Sequence, residues 1–159
     1  MRTRFVPQLW SRRVVVVRGV GGPYPGDVTA VALLTGLMSA LDEHRWSDLG
    51  DYLHGDFTCR YVHTGESFDR ESWIRLNAEY PGFEHLRVEE IVGDSDHAAC
   101  RSHVTGRGPE GLEHFECATF VRVKDGLIGQ MTEVWTSVSQ TAPSGTRPGT
   151  QLGQEQLDQ

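Results

Sequence analysis

The sequence predicts an α+β domain in which N-terminal helices lie on one face of a long, curved antiparallel sheet. Three observations lead there. Apolar residues recur at helical spacing only before Pro81. After Pro81 the period changes to two and stays so until about residue 137. Turn residues at Gly93-Asp94-Ser95-Asp96, from Gly106 to Gly111, and at Asp125-Gly126 divide that stretch into strands. A sheet of this length curls. Curled over helices, it encloses a cone whose open mouth is a natural ligand pocket.

The elements follow in chain order. Asp27 is a helix cap, and Val28, Val31, Leu34, Leu37, Met38 and Leu41 give a helix over 28–43. Trp46, Leu49, Tyr52 and Leu53 make a short second helix that starts near Arg45 or Ser47. Phe57 to Val62 reads as a strand. Asp69 caps a third helix holding Trp73, Ile74, Leu76 and Asn77, which stops at Pro81-Gly82. Four strands are then expected at about 85–92, 97–106, 114–124 and 127–137.

Length and charge bound the partners. The chain has 159 residues and a net charge of −7. Residues 1–26 hold five Arg and no acid, whereas 27–138 hold 9 basic and 20 acidic residues. An acidic body repels nucleic acid and anionic membranes, so neither is expected as a partner. No apolar run reaches the roughly 20 residues of a membrane helix. Residues 1–26 are expected to be a disordered leader, or sequence ahead of the true start. Ser11-Arg12-Arg13 is only superficially like a twin-arginine signal, because the valines after it stop at Arg18. The Ser-, Pro- and Gln-rich stretch 139–159 is expected to be a disordered tail, leaving 27–138 as the domain. Cys59, Cys100 and Cys117 show no metal-ligand spacing, and their odd number fits a reducing cytoplasm.

The turns set registers. A two-residue hairpin at Asp125-Gly126 places Lys124 opposite Leu127, Phe120 opposite Met131, Ala118 opposite Glu133 and Glu116 opposite Trp135. A turn centred on Pro109-Glu110 places His103 opposite Glu116. One face then carries His103, Glu116, Phe120, Met131, Glu133 and Trp135. The other carries Phe115, Cys117, Val121 and Val134, with Thr119 and Thr132.

Glu133 is the sharpest chemical candidate. Beside Trp135, Met131 and Phe120 its carboxyl would lose water and become a general base. The plainer alternative is a solvated Glu133, or one paired with Arg101. Tyr61 and His63 alternate on the first strand and share a face, as a hydrogen-bond donor and a proton shuttle. They could equally be a packed Tyr and a surface His. His103 can pair with Glu116 or Glu133, a frequent acid/base arrangement, or be structural. Trp46, Trp73, Tyr80 and Trp135 are candidate pocket walls or plain core. His103, His114 and Glu116 make a poor metal site, since the two His are expected at opposite parity and no HxH or HExxH spacing occurs.

Two segments resemble a known family. One is Leu41-Asp42-Glu43-His44-Arg45-Trp46-Ser47-Asp48-Leu49 running into His54-Gly55-Asp56-Phe57. The other is the ending from Val123 to Trp135, including Gln130-Met131-Thr132-Glu133-Val134-Trp135. Both are similar to the nuclear transport factor 2-like superfamily, in its SnoaL-like branch. The likeness spans about 28–137. It implies a cone-shaped, cystatin-like α+β barrel, usually dimeric, in a superfamily of ketosteroid isomerases, polyketide cyclases, dehydratases and epoxide hydrolases. The steroid isomerases' working positions fall at Leu37, at Ala118 or Thr119, and at Tyr61, where the required groups are missing. The Asp-Arg-Asp set of the epoxide hydrolases is not visible either. The cyclases' last-strand carboxylate falls at Glu133. The resemblance therefore implies a cofactor-independent cyclase, isomerase or dehydratase acting on a small apolar or aromatic carbonyl compound. The alternative is a non-catalytic ligand-binding or dimerisation module of the same fold.

Overall fold

The computed structural model describes residues 28–146. The readings of Asp27 as a cap and of 1–26 as a leader lie outside the described residues, as does most of the expected tail. Helix α1 (Ala30–Asp42) is capped by Thr29, whose hydroxyl accepts from the Ala32 amide at 3.1 Å. Its inner stripe, Leu33, Leu34, Leu37, Met38 and Leu41, is buried, as the spacing predicts. Asp42 at its end accepts the Leu86 amide at 2.9 Å, which ties the helix to the sheet. The second helix forms as a 3-10 segment, Trp46–Tyr52, behind Arg45, which offers no side-chain cap. Helix α2 (Arg70–Glu79) is capped by Asp69 through the Ser72 amide, at 2.8 Å. Among the described residues no helix is long and apolar enough to cross a membrane.

Six strands form one sheet: β1 (Leu53–Tyr61), β2 (Ser67–Asp69), β3 (Phe83–Gly93), β4 (His97–Gly108), β5 (Gly111–Lys124) and β6 (Leu127–Ser137). Their order is β2-β1-β6-β5-β4-β3. The fold class is the expected one: a curved sheet over N-terminal helices, with core residues such as Leu34, Leu37, Phe57, Trp73 and Ile128 filling the space between. One ladder departs from antiparallel. β1 runs parallel to β6, which sets Tyr61 beside Glu133 and Cys59 beside Met131. The short strand β2, absent from the sequence reading, closes the far edge on β1.

The β4–β5 register is the expected one, with His103 opposite Glu116. The β5–β6 register is not. Lys124 faces Leu127 and Val123 faces Ile128, but Arg122 then faces Gln130. Gly129 is the extra residue of a β-bulge. It suits that place, because a Cβ there would lie 2.8 Å from the Lys124 Cβ. Beyond it, Met131 pairs with Val121, Glu133 with Thr119 and Trp135 with Cys117. A one-residue slip exchanges faces. The single face expected to carry His103, Glu116, Phe120, Met131, Glu133 and Trp135 is therefore split. Met131, Glu133 and Trp135 look inward with Cys117, Thr119 and Val121. His103, Glu116 and Phe120 look outward, Phe120 being 50% exposed, and Val134 joins them.

Candidate functional site

The cone holds an open cavity of about 560 Å³ between the helices and the inner sheet face. That volume suits a small organic molecule. Its walls are mostly apolar, built from Leu41, Leu76, Leu86, Val104 and the rings of Phe68, Phe83 and Phe115. Tyr61, Ser102, Cys117, Thr119, Glu133 and Trp135 bring polar atoms or polarisable groups to the same space.

Glu133 is the centre of this group. It is only 3% exposed. The Trp135 indole N–H donates to Oε2 at 3.0 Å, and the Thr119 hydroxyl donates to Oε1 at 3.3 Å. The Tyr61 hydroxyl faces the same carboxylate, set there by the parallel ladder. All three donors are neutral. Burial pushes the Glu133 carboxyl above its ordinary value, and the hydrogen bonds from Trp135, Tyr61 and Thr119 only partly oppose this. The same burial, reinforced by the nearby Glu133 charge, drives the Tyr61 hydroxyl upward, so Tyr61 is a donor and not a base. The buried thiols Cys59 and Cys117 are likewise pushed up, first by burial and then by Glu133, and stay protonated.

Of the other residues read from the sequence, Tyr61, His63, Tyr80 and Trp135 also line the cavity. His63 lies just past the end of β1, in a turn, and its exposed ring stacks on Tyr61 with centroids 5.7 Å apart. The others stand elsewhere. Trp46 stacks on His44 at 5.0 Å and packs edge-on against Phe83 at 5.9 Å, behind the wall. Trp73 is core, edge-on to Phe57 at 5.7 Å, and Met131 is buried beside Val121 outside the cavity lining.

The Gly129 bulge leaves His103, Glu116 and Phe120 on the face opposite Glu133. The His–carboxylate pair does form there. His103 Nδ1 lies 2.9 Å from Glu116 Oε1, and Arg101 donates to Glu116 Oε2 at 2.9 Å. These partners hold the Glu116 carboxyl below its usual range, the His103 bond being the largest cause. Arg101 is thus Glu116's partner, not Glu133's. His114 shares this face, contrary to expectation, with Nδ1 3.0 Å from His103 Nε2, since it stands two residues from Glu116 on β5. Among the described residues no group of three or more His, Cys, Asp or Glu is arranged to hold a metal ion. Thr119, which the sequence reading put on the face opposite Glu133, is one of its donors.

The family profile of the SnoaL-like domain matches residues 34–131. The chain belongs to this family. Solved structures agree. A protein from Kribbella flavida, named as a candidate ketosteroid isomerase, is 26% identical with a TM-score of 0.63, covering 77% of this chain and 91% of that one. An NTF-2 like protein of unknown function from Burkholderia xenovorans is 18% identical with a TM-score of 0.60, covering 70% and 85%. An LEH-like epoxide hydrolase from M. tuberculosis is 15% identical with a TM-score of 0.58, covering 67% and 82%. The latter two show the fold alone. No match is found among curated proteins. This SnoaL-like domain lacks the isomerase groups where the resemblance placed them: Leu37 is fully buried and apolar, and Thr119 carries a hydroxyl bonded to Glu133 instead of a carboxyl.

Proposed function

We propose that the cone binds a small, largely apolar, carbonyl-bearing molecule and that Glu133 removes a proton from the carbon next to its carbonyl. One observation carries this reading: a carboxyl buried beside an apolar cavity, held by neutral donors alone. A carboxylate so placed is dry and therefore basic, and its three donors leave one of about four lone-pair positions free for the substrate proton. The C–H bond breaks, the proton passes to Glu133, and the electron pair moves to the carbonyl oxygen as an enolate. Once Glu133 is neutral it holds the Tyr61 O–H less strongly, and that donor turns to the enolate oxygen. His63, at the mouth, exchanges protons with solvent. Return of the proton to another carbon is an isomerisation. Attack of the enolate carbon on a second carbonyl is a cyclisation. Loss of a β-hydroxyl as water is a dehydration. None of these steps needs a cofactor. In this reading the protein works in the reducing cytoplasm as a homodimer, joined through the outer sheet face around Phe120 and Val134.

The test is a binding screen of aromatic and polycyclic ketones. It is followed by NMR measurement of deuterium exchange from solvent into the α-position. The wild-type protein should catalyse exchange, and Glu133→Gln should lower it by about 100-fold or more. Equal exchange by both proteins refutes Glu133 as the base.

A further inference from the structure

The charges lining the cone are one-sided. Among the described residues the only carboxylates lining it are Glu133 and, near the mouth, Glu66, and no Lys or Arg lines it. On β4, Arg101 is turned outward to Glu116, while Arg107 pairs with Glu84. Six aromatic rings, Tyr61, Phe68, Tyr80, Phe83, Phe115 and Trp135, share the lining. Glu133 therefore has hydrogen-bond donors but no counter-charge, in a space walled by π-faces. An organic cation supplies both missing partners: a positive charge for the carboxylate and a cation for the rings. An organic anion meets only repulsion and desolvation.

We propose that the cone is a site for apolar primary amines, which bind as ammonium ions paired with Glu133 and so block it as a base. The inference rests on the same reading of Glu133 as the reactive group of the cone, but it concerns a different ligand class from the carbonyl substrate. Binding carries a proton signature. At a pH low enough to protonate the buried carboxyl, whose hold on its proton burial strengthens, Glu133 is neutral before binding. Pairing with an ammonium ion breaks its O–H bond, and the proton leaves to the buffer. Tyr61, Cys59, Cys100 and Cys117, which surround Glu133, are all shifted upward by burial and hold their protons throughout; His63 and Glu66, the other titratable groups of the lining, stand at the mouth. A neutral ketone releases no proton.

The experiment is calorimetry on the full chain with benzylamine, benzyl alcohol, benzoate and acetophenone. Buffers of different ionisation enthalpy, at a pH low enough to protonate the carboxyl, give the proton count. Benzylamine should bind about tenfold or more tightly than benzyl alcohol, with benzoate weakest, and should release about one proton. Glu133→Gln should abolish the amine's advantage over benzyl alcohol, and Glu116→Gln should leave that advantage unchanged. Equal binding of amine and alcohol, a preference for benzoate, or amine binding without proton release overturns the inference. Should Glu133→Gln fail to fold, the wild-type proton count still decides. Acetophenone binding and exchange without amine binding would sink this inference alone. Amine binding with no ketone exchange would sink the proposed reaction alone.

Discussion

Replacing Glu133 by Gln should change how stability depends on pH, in a direction set by burial. The folded-state carboxyl titrates above its ordinary 4.5. Its contribution to stability is therefore fully present below about that pH and lost as pH rises toward the folded-state value. Within that window the unfolded chain has given up the proton and the folded chain has not. Stability then falls by about 1.4 kcal/mol for each pH unit, the full slope of one proton. The isostere removes this slope. It also fits: the Gln oxygen accepts the Trp135 N–H, and its amide donates to the Thr119 hydroxyl, which is equally able to accept. At low pH the two proteins should agree within about 1 kcal/mol. The assay is urea denaturation of both proteins from about pH 4 to pH 9, with the difference plotted. Carboxylates with lowered values, such as Glu116, Asp48 and Asp56, pull the opposite way but cancel in the difference. A difference that stays flat across the range refutes the claim that Glu133 is a dry, uncompensated carboxyl.

Other outcomes follow from single contacts. Tyr61→Phe removes a donor that favours the ionised carboxylate, so the rise of ketone exchange with pH should move to higher pH; an unmoved or downward-shifted profile contradicts the assignment. Trp73→Ala, which empties a site beneath the cavity wall, should cost about 3–5 kcal/mol by denaturant titration. Gly82→Ala should lose more than about 1 kcal/mol, because Gly82 has φ +84° and a Cβ there would lie 2.3 Å from the Arg107 carbonyl oxygen. His103→Ala should leave ketone exchange within about twofold of wild type, since His103 sits across the sheet from the cone.

The helices and the long strands were legible because their signals are local, whereas the three-residue β2 was not. α1 shows its stripe, α2 its Asp69 cap, and the two hairpins their turn residues. The burial of the Glu133 carboxyl was also legible, from its apolar neighbours at 131 and 135. Its surroundings were not, and the reason is a single residue. The Asp125-Gly126 turn fixes Lys124 against Leu127, but a register carried outward from a turn holds only as far as the first bulge. Gly129 stands inside a strand pattern, directly after a fully buried Ile128, and a lone Gly there is itself a bulge signal. Given that weight, it moves Thr119 to Glu133's side and sends His103, Glu116 and Phe120 outward. The pairing of Tyr61 with Glu133 is a different matter. It depends on a parallel ladder between the first and last strands, and nothing local in either segment announces a contact across some 70 residues.

The bulge also accounts for the opposite acidities of two neighbouring carboxyls. Glu116 and Glu133 lie on neighbouring strands, and without Gly129 they would share a face and compete for His103 and Arg101. With it they are separated by the thickness of the sheet and driven apart in acidity. Glu116 takes Arg101 and His103 as partners, which hold its carboxyl below the usual range. Glu133 takes only neutral ones and loses water. A carboxylate paired with Arg101 would be a weak base, because the guanidinium lowers its affinity for a proton. The outer network thus serves the cone by keeping its cation away from it, and the acidity of the two groups diverges through placement alone. Deleting Gly129 should reverse this: the strand beyond would turn over, Glu133 would face Arg101 and solvent, and ketone exchange would vanish together with the falling limb of stability above about pH 4.5. Retention of both in a folded deletion variant would mean that the bulge does not set the site.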